Sequence, residues 1–308
     1  MENPALFCTL TVVFYLYHTL GVTIGLHRLL SHRAFKCHKA VEYFFVSGAY
    51  LAFHGAPIWW ATIHRNHHRY VETELDPHSP KNGILQAYFF YRDFKYPPHM
   101  NPEKQCPDLW KDPIYRWLER GDDWRLAYVK CVTFGILFRV LLWACFGTEV
   151  MLASFLAGFL AWNMPLILNI MCHIPKIGYR NFAVADDSVN NHFFGIVALG
   201  DGWHNNHHAH PGSSQMGLKP HEFDFSWFVL KCLQKVGLVY TINESMRADK
   251  TNELAIAEDA DEAMRKFENE NKANKANSEK ASAIAAEAVG AHRSHKPVRA
   301  AARVRTRQ

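Results

Sequence analysis

The stretch 5-ALFCTLTVVFYLYHTLGVTIGLHRLLSH-32 decides the fold. Its first 22 residues, Ala5 to Leu26, carry no charged side chain. As a helix they reach about 33 Å, enough to cross a hydrocarbon core of about 30 Å. The run then closes on two histidines, His27 and His32. It does not read as a signal peptide, because Glu2 stands where a basic cluster belongs and no small-residue cleavage site follows. A membrane span ending on metal-ligand chemistry is therefore the starting point.

Outward from it, two further apolar runs, 127–146 and 150–172, flank Gly147-Thr148-Glu149 and read as a helical hairpin. Lys130 can snorkel from one end. Arg139 lies nearer the middle and is expected to face protein, since a lipid-facing charge there costs at least a few kcal/mol. Residues 40–61 are apolar and aromatic but contain Glu42, His54, Gly55 and Pro57, and are expected to form an interfacial helix. Phe225 to Tyr240 is expected to be a packed or interfacial helix. The fold class is all-α integral membrane: three spans (5–26, 127–146, 150–172) within a domain 1–243, and a cytosolic helical cap, 27–125 and 173–243. Residues 244–308, rich in Ala, Glu, Lys and Asn, read as a disordered or loosely helical tail.

Composition fits this division. Of 308 residues, 49% are hydrophobic and 20% charged, which excludes disordered and collagen-like chains. The mean hydropathy of −0.18 averages apolar spans with a polar cap and tail. The net charge of +5 is a tail property, because Arg293, Lys296, Arg299, Arg303, Arg305 and Arg307 account for six positives and leave 5 − 6 = −1 elsewhere. No nucleic-acid motif accompanies that charge, so no nucleic-acid partner is expected. Seven cysteines without a CxxC fit a reducing compartment.

The 19 histidines are not scattered evenly. His64, His67 and His68 stand at i, i+3 and i+4, as do His204, His207 and His208, so each trio shares one helix face. Asn169 and His173 are four apart and also share a face. His27 and His32 are five apart, about 140° round an ideal helix, so they reach one ion only if the helix end unwinds. One span precedes the first two clusters and a hairpin returns the chain before the last two, so all four can meet at one membrane face. Arg28, Arg33, Lys36, Lys39, Arg65 and Arg69 make that face cytoplasmic by the positive-inside rule. Nine imidazoles and one amide exceed the three or four ligands of a single zinc and favour two metals. His18, His38, His54, His78, His99, His192, His210, His221, His292 and His295 are assigned no metal role.

GVTIGLHRLLSH, HRNHHRYVETELDPH, NIMCH and GDGWHNNHH, in this order and spacing, resemble the histidine boxes of the integral-membrane fatty-acid desaturases, in particular the stearoyl-CoA and acyl-lipid Δ9 group. The similarity runs from about Gly21 to Tyr240. It implies two iron ions held by His27, His32, His64, His67, His68, His173, His204, His207, His208 and, through water, Asn169. It implies O2-dependent hydrogen abstraction that leaves a cis double bond, with Δ9 the expected position, in a long saturated acyl chain on CoA or lipid. No side chain need act as a separate acid or base. Trp60, Tyr17, Gly21 and Leu166 are candidates for the substrate tunnel, with Tyr15 beside them. No fused electron donor is recognisable, so an external one is expected: cytochrome b5, ferredoxin or a similar carrier with its reductase. The expected location is a bilayer with the active site in the cytosol, the bacterial inner membrane before the endoplasmic reticulum.

The chain departs from the family pattern in three places. The family carries a further span ahead of the one ending at His27, whereas four residues precede Ala5 here, which as written places the N-terminus outside. The family's Thr-Trp pair before the asparagine reads Pro165-Leu166, and the tail has no counterpart. A di-iron acyl hydroxylase on the same scaffold and a zinc membrane hydrolase are the competing readings.

Overall fold

In a computed structural model of the chain, residues 3–89, 96–119 and 124–244 are described. The expected tail lies outside the described residues except for Glu244. The order is α1 (Pro4–Leu20), a π-helix (Gly21–Ser31), β1 (Phe35–Cys37), α2 (Lys39–Leu51), α3 (Pro57–Tyr70), α4 (Ile84–Phe89), α5 (Pro102–Gln105), α6 (Pro107–Trp110), α7 (Pro113–Leu118), α8 (Trp124–Phe146), α9 (Thr148–Cys172), α10 (His192–Val197), α11 (His204–Ala209), α12 (Phe225–Lys235) and β2 (Val239–Ile242).

Among the described residues, three helices are long and apolar enough to cross a membrane: Pro4–Ser31, Trp124–Phe146 and Thr148–Cys172. They coincide with the three expected spans. α8 and α9 turn at Gly147, where φ is 86°, a conformation that only glycine adopts freely. Asn3 caps α1 by accepting from Leu6 N at 3.0 Å. Arg139 faces protein as expected: it is buried and donates to the carbonyls of Leu51 (2.7 Å), Gly135 (2.8 Å) and Ser154 (3.2 Å). Lys130 bends to the Trp117 carbonyl and lies 4.2 Å over that ring.

Two expectations need correction. The single helix over 40–61 is two, α2 and α3, because Phe53 and Gly55 take positive φ (68° and 80°) and Pro57 then starts a new helix at its first turn. The helix expected over Phe225 to Tyr240 stops at Lys235. Gly237 (φ 76°) breaks it, and Val239–Ile242 pairs antiparallel with Phe35–Cys37.

The π-helix sits at the centre. All 11 of its residues are buried. Its apolar side chains Val22, Ile24, Leu26, Leu29 and Leu30 form a core with Phe45, Val46 and Ala49 of α2, Ile58 and Ala61 of α3, and Leu230 of α12. Gly21, where α1 passes into the π-helix, touches α2 so closely that a Cβ would lie 2.3 Å from Ala49 N. The first apolar helix thus runs on into the histidine-bearing segment without a loop.

Candidate metal centre

The wide turn of the π-helix resolves the five-residue interval. Its i→i+5 ladder includes His32 N donating to His27 O at 3.2 Å. Five-apart side chains then approach one face, and the His27 and His32 rings stand 5.0 Å apart. An ordinary α-helix would have turned them away from each other.

The nine predicted histidines gather into two groups. Ligand atoms of His27, His32, His64, His68 and His207 lie within 4.8 Å of one another, as do those of His67, His173, His204 and His208. In the first group the Nε2 atoms meet in sequence: His32 to His64 at 2.8 Å, His64 to His68 at 3.1 Å, His68 to His207 at 2.8 Å and His207 to His27 at 3.0 Å. In the second, His204 Nε2 lies 3.3 Å from His173 Nε2 and 3.1 Å from His208 Nε2. Each HxxHH trio contributes to both groups. α3 gives His64 and His68 to one and His67 to the other, while α11 gives His207 to the first and His204 and His208 to the second.

Four of these rings are held from behind by carboxylates. His27 Nδ1 donates to Asp201 (2.8 Å), His67 Nδ1 to Asp76 (3.0 Å), His173 Nδ1 to Glu72 (2.9 Å) and His208 Nδ1 to Asp186 (3.0 Å). An ionised carboxylate only accepts, so the proton sits on Nδ1 and the inward Nε2 presents its lone pair. The carboxylates stay ionised. Burial pushes Asp76 up, but the bond from His67 outweighs it and holds the group at about 2. Asp186, Glu72 and Asp201 are lowered the same way, each against a burial penalty. Burial first, and neighbouring imidazoles second, push His32, His64, His68, His204 and His207 well below the ordinary histidine range. These five rings are therefore neutral at neutral pH, the form that binds metal.

A metal pair fits this donor set. Neutral inward lone pairs converge twice, and His67 Nε2 and Asn169 Oδ1 are buried with no hydrogen-bond partner among the described residues. Asn169 is oriented by its own Nδ2, which donates to the His78 carbonyl at 2.9 Å and leaves the oxygen free.

A cavity of about 300 Å³ opens on the centre. His27, His64, Asn169 and His204 face it, and Trp60, Ile63, Trp124, Tyr128, Trp162 and Leu166 supply apolar wall. Two tunnel candidates, Trp60 and Leu166, line it; Trp60 also stacks on His64 at 5.1 Å. Pro165, beside Leu166, lines it too. The other candidates are placed elsewhere. Tyr17 bonds Ser47 through its hydroxyl (2.7 Å), Gly21 is closed off by the α2 backbone, and Tyr15 donates to the Val197 carbonyl (2.7 Å). Their positions on a span suggest lining, but Tyr17 and Gly21 pack against α2 and Tyr15 reaches the end of α10.

Residues without a sequence-based role also take part. Asp76 and Asp201 stood inside the quoted motifs, so proximity to His67 and His204 was their signal. Glu72 stood inside a quoted motif too, but its histidine is 101 residues away; Asp186, whose histidine is 22 away, lay outside every motif and gave no signal. His78, set aside among the other histidines, stacks on His67 at 4.3 Å. Arg28, counted with the basic face, is fully buried. It bonds Asp201 (2.6 Å), Asp224 (3.2 Å) and the Ser214 carbonyl (2.9 Å).

Comparison with known proteins identifies the family. The family described as fatty acid desaturase matches residues 3–221. An "Acyl-CoA C20 Delta5-desaturase" of Anemone leveillei is 36% identical over 236 residues, covering 75% of this chain and 72% of the relative. An "sn-1 stearoyl-lipid 9-desaturase" of Anabaena variabilis is 31% identical over 231 residues, 75% and 81% of the two chains. A "Delta-9 acyl-lipid desaturase 1" of Arabidopsis thaliana is 32% identical over 259 residues, 79% and 78%.

Proposed function

The chain belongs to the fatty acid desaturase family and is an oxidoreductase of that class, and we propose that it inserts a cis double bond at the Δ9 position of a long saturated acyl chain carried on CoA or lipid. The observation that carries this reading is the pair of histidine groups opening on one largely apolar cavity. Two relatives named for position 9 support the regiochemistry, and a relative named for position 5 makes it the point to test.

Unactivated methylenes offer no proton that a side chain could remove, so the oxidising power must come from a bound metal pair, which with O2 supplies hydrogen abstraction. We assign iron to His27, His32, His64, His68 and His207 at one position and to His67, His173, His204, His208 and Asn169, through water, at the other. The protein's own work is placement. Trp60, Ile63 and Leu166 hold the acyl chain and exclude water. Asp201, Asp76, Glu72 and Asp186 keep the Nδ1 protons in place, so every backed ring turns the same nitrogen inward. O2 is the co-substrate, and the electrons come from an external carrier such as cytochrome b5 or ferredoxin with its reductase. The cap, residues 27–125 and 173–243, is assigned to the cytosolic side of a membrane, a bacterial inner membrane by preference, with 244–308 as a separate tail.

Expression in a desaturase-deficient host, followed by double-bond mapping of the lipids, is the direct test. The expected result is a cis Δ9 product that disappears in His67→Ala, with two irons per purified chain. An added oxygen in the product would replace desaturation by hydroxylation. One zinc per chain with O2-independent turnover would overturn the reading.

A further inference from the structure

The two histidine groups differ in what stands behind them. In the four-histidine group, three rings of four are backed by carboxylates: His67 by Asp76, His173 by Glu72 and His208 by Asp186. In the five-histidine group, among the described residues, only His27 is backed, by Asp201. The surrounding cations are arranged in the opposite sense. Asp201 shares its charge with Arg28, whose guanidinium has no exposed surface. Arg65 lies beside the same group, tied to the Leu30 and Ser31 carbonyls and to Asp108. On the four-histidine side the corresponding cation is Lys81, which reaches Glu72 and Asp187 from a half-exposed position.

We propose that this asymmetry makes the two metal positions unequal: the four-histidine, carboxylate-backed position binds a divalent metal more tightly and fills first. The proposal rests on the two-metal reading above. A carboxylate behind a ligating imidazole increases its basicity, and losing one such partner costs 10–100-fold in metal affinity. Two extra partners therefore favour the four-histidine position by roughly 10²–10⁴. The opposing effect is the fifth imidazole of the other group, a neutral donor whose site lies beside a buried guanidinium. Asn169 offsets part of that advantage, since its partnerless Oδ1, acting through water, gives the four-histidine group a fifth ligand.

The test uses the full chain in detergent, stripped with a chelator and titrated with Co2+, read by its visible absorption and by bound metal per chain. Wild type is expected to take up two Co2+ in two resolved steps. Asp186→Asn keeps an acceptor for His208 but removes the charge; it should weaken the first step about 10–100-fold and leave the second. Glu72→Gln should do the same, which separates the effect from misfolding of one variant. Asp201→Asn should weaken the second step alone. Two equal steps in wild type, or an Asp201→Asn variant that weakens the tight step, overturns the proposal. A chain of unchanged helical content that binds no Co2+, or one, overturns the two-metal reading itself.

Discussion

Two apolar helices deliver the proposed ligand pairs to the same centre at different pitch. α9 ends on Asn169 and His173, four apart and aligned by ordinary α-helical geometry. α1 runs into a π-helix and ends on His27 and His32, five apart and aligned only because i→i+5 bonds widen the turn. The contrast teaches that ligand spacing records pitch as well as face. Where the interval does not suit 3.6 residues per turn, the backbone changed period and the histidines stayed together. That change is possible because the π-helix is buried on every side, with α2, α3 and α12 packed around it.

The most severe way to break the comparison is to impose the wrong interval on the span that lacks the wide turn. One alanine inserted after Ile170 would set Asn169 and His173 five positions apart and rotate the His173 ring by about 100°. His173 then leaves both Glu72 and its group. Bound metal should fall from two per chain to one, and turnover to background, a larger loss than the ~100-fold commanded by an outer carboxylate. Retention of two metals with measurable desaturation would show that α9 can also change pitch.

A smaller effect sharpens the same contrast at the point where pitch changes. Gly21 lies against the α2 backbone, which cannot move aside, whereas a Cβ at Gly158 in α9 would meet the end of the Arg139 side chain. Gly21→Ala should cost about 3 kcal/mol, and Gly158→Ala less. Thermal unfolding of the two purified variants decides it; equal losses would place no special constraint on the junction.

What was legible in the sequence follows from the same geometry. The HxxHH trios matched the α-helical period, so their faces could be read directly. Arg139 could be directed inward because charge in lipid is costly. The pitch of Gly21–Ser31 left only one trace, the five-residue interval from His27 to His32, because hydropathy reports which residues are apolar and says nothing about hydrogen-bond register. The pairings of Glu72 with His173 and of Asp186 with His208 were invisible for a different reason, since only the fold brings them together. Tyr17 and Gly21 were plausible lining until the neighbouring helix showed which way they face.

The two HxxHH helices offer the mildest contrast, and it is one of pH. The amino end of α11 follows Trp203 without a side-chain cap. That of α3 is held from a distance: Glu119 accepts from Trp59 N at 2.8 Å and from the Tyr96 hydroxyl at 3.1 Å. Burial pushes Glu119 up from 4.5 to about 7. A carboxyl whose pKa is raised by folding binds its proton more tightly in the native state, so the stability it contributes is present below about pH 4.5 and is lost as pH rises through 7. Between about pH 5 and pH 8 the loss should be about 2 kcal/mol, near 5 °C in unfolding midpoint for a domain of this size. Glu119→Gln keeps an acceptor for Trp59 N and cannot ionise. The difference between wild type and variant, measured on metal-loaded protein across that range, isolates the Glu119 contribution from the titration of other groups. A difference that grows with pH ties the α3 histidine helix to this carboxyl. A constant difference would mean that Glu119 is ionised throughout and that α3 is as indifferent to pH at its amino end as α11.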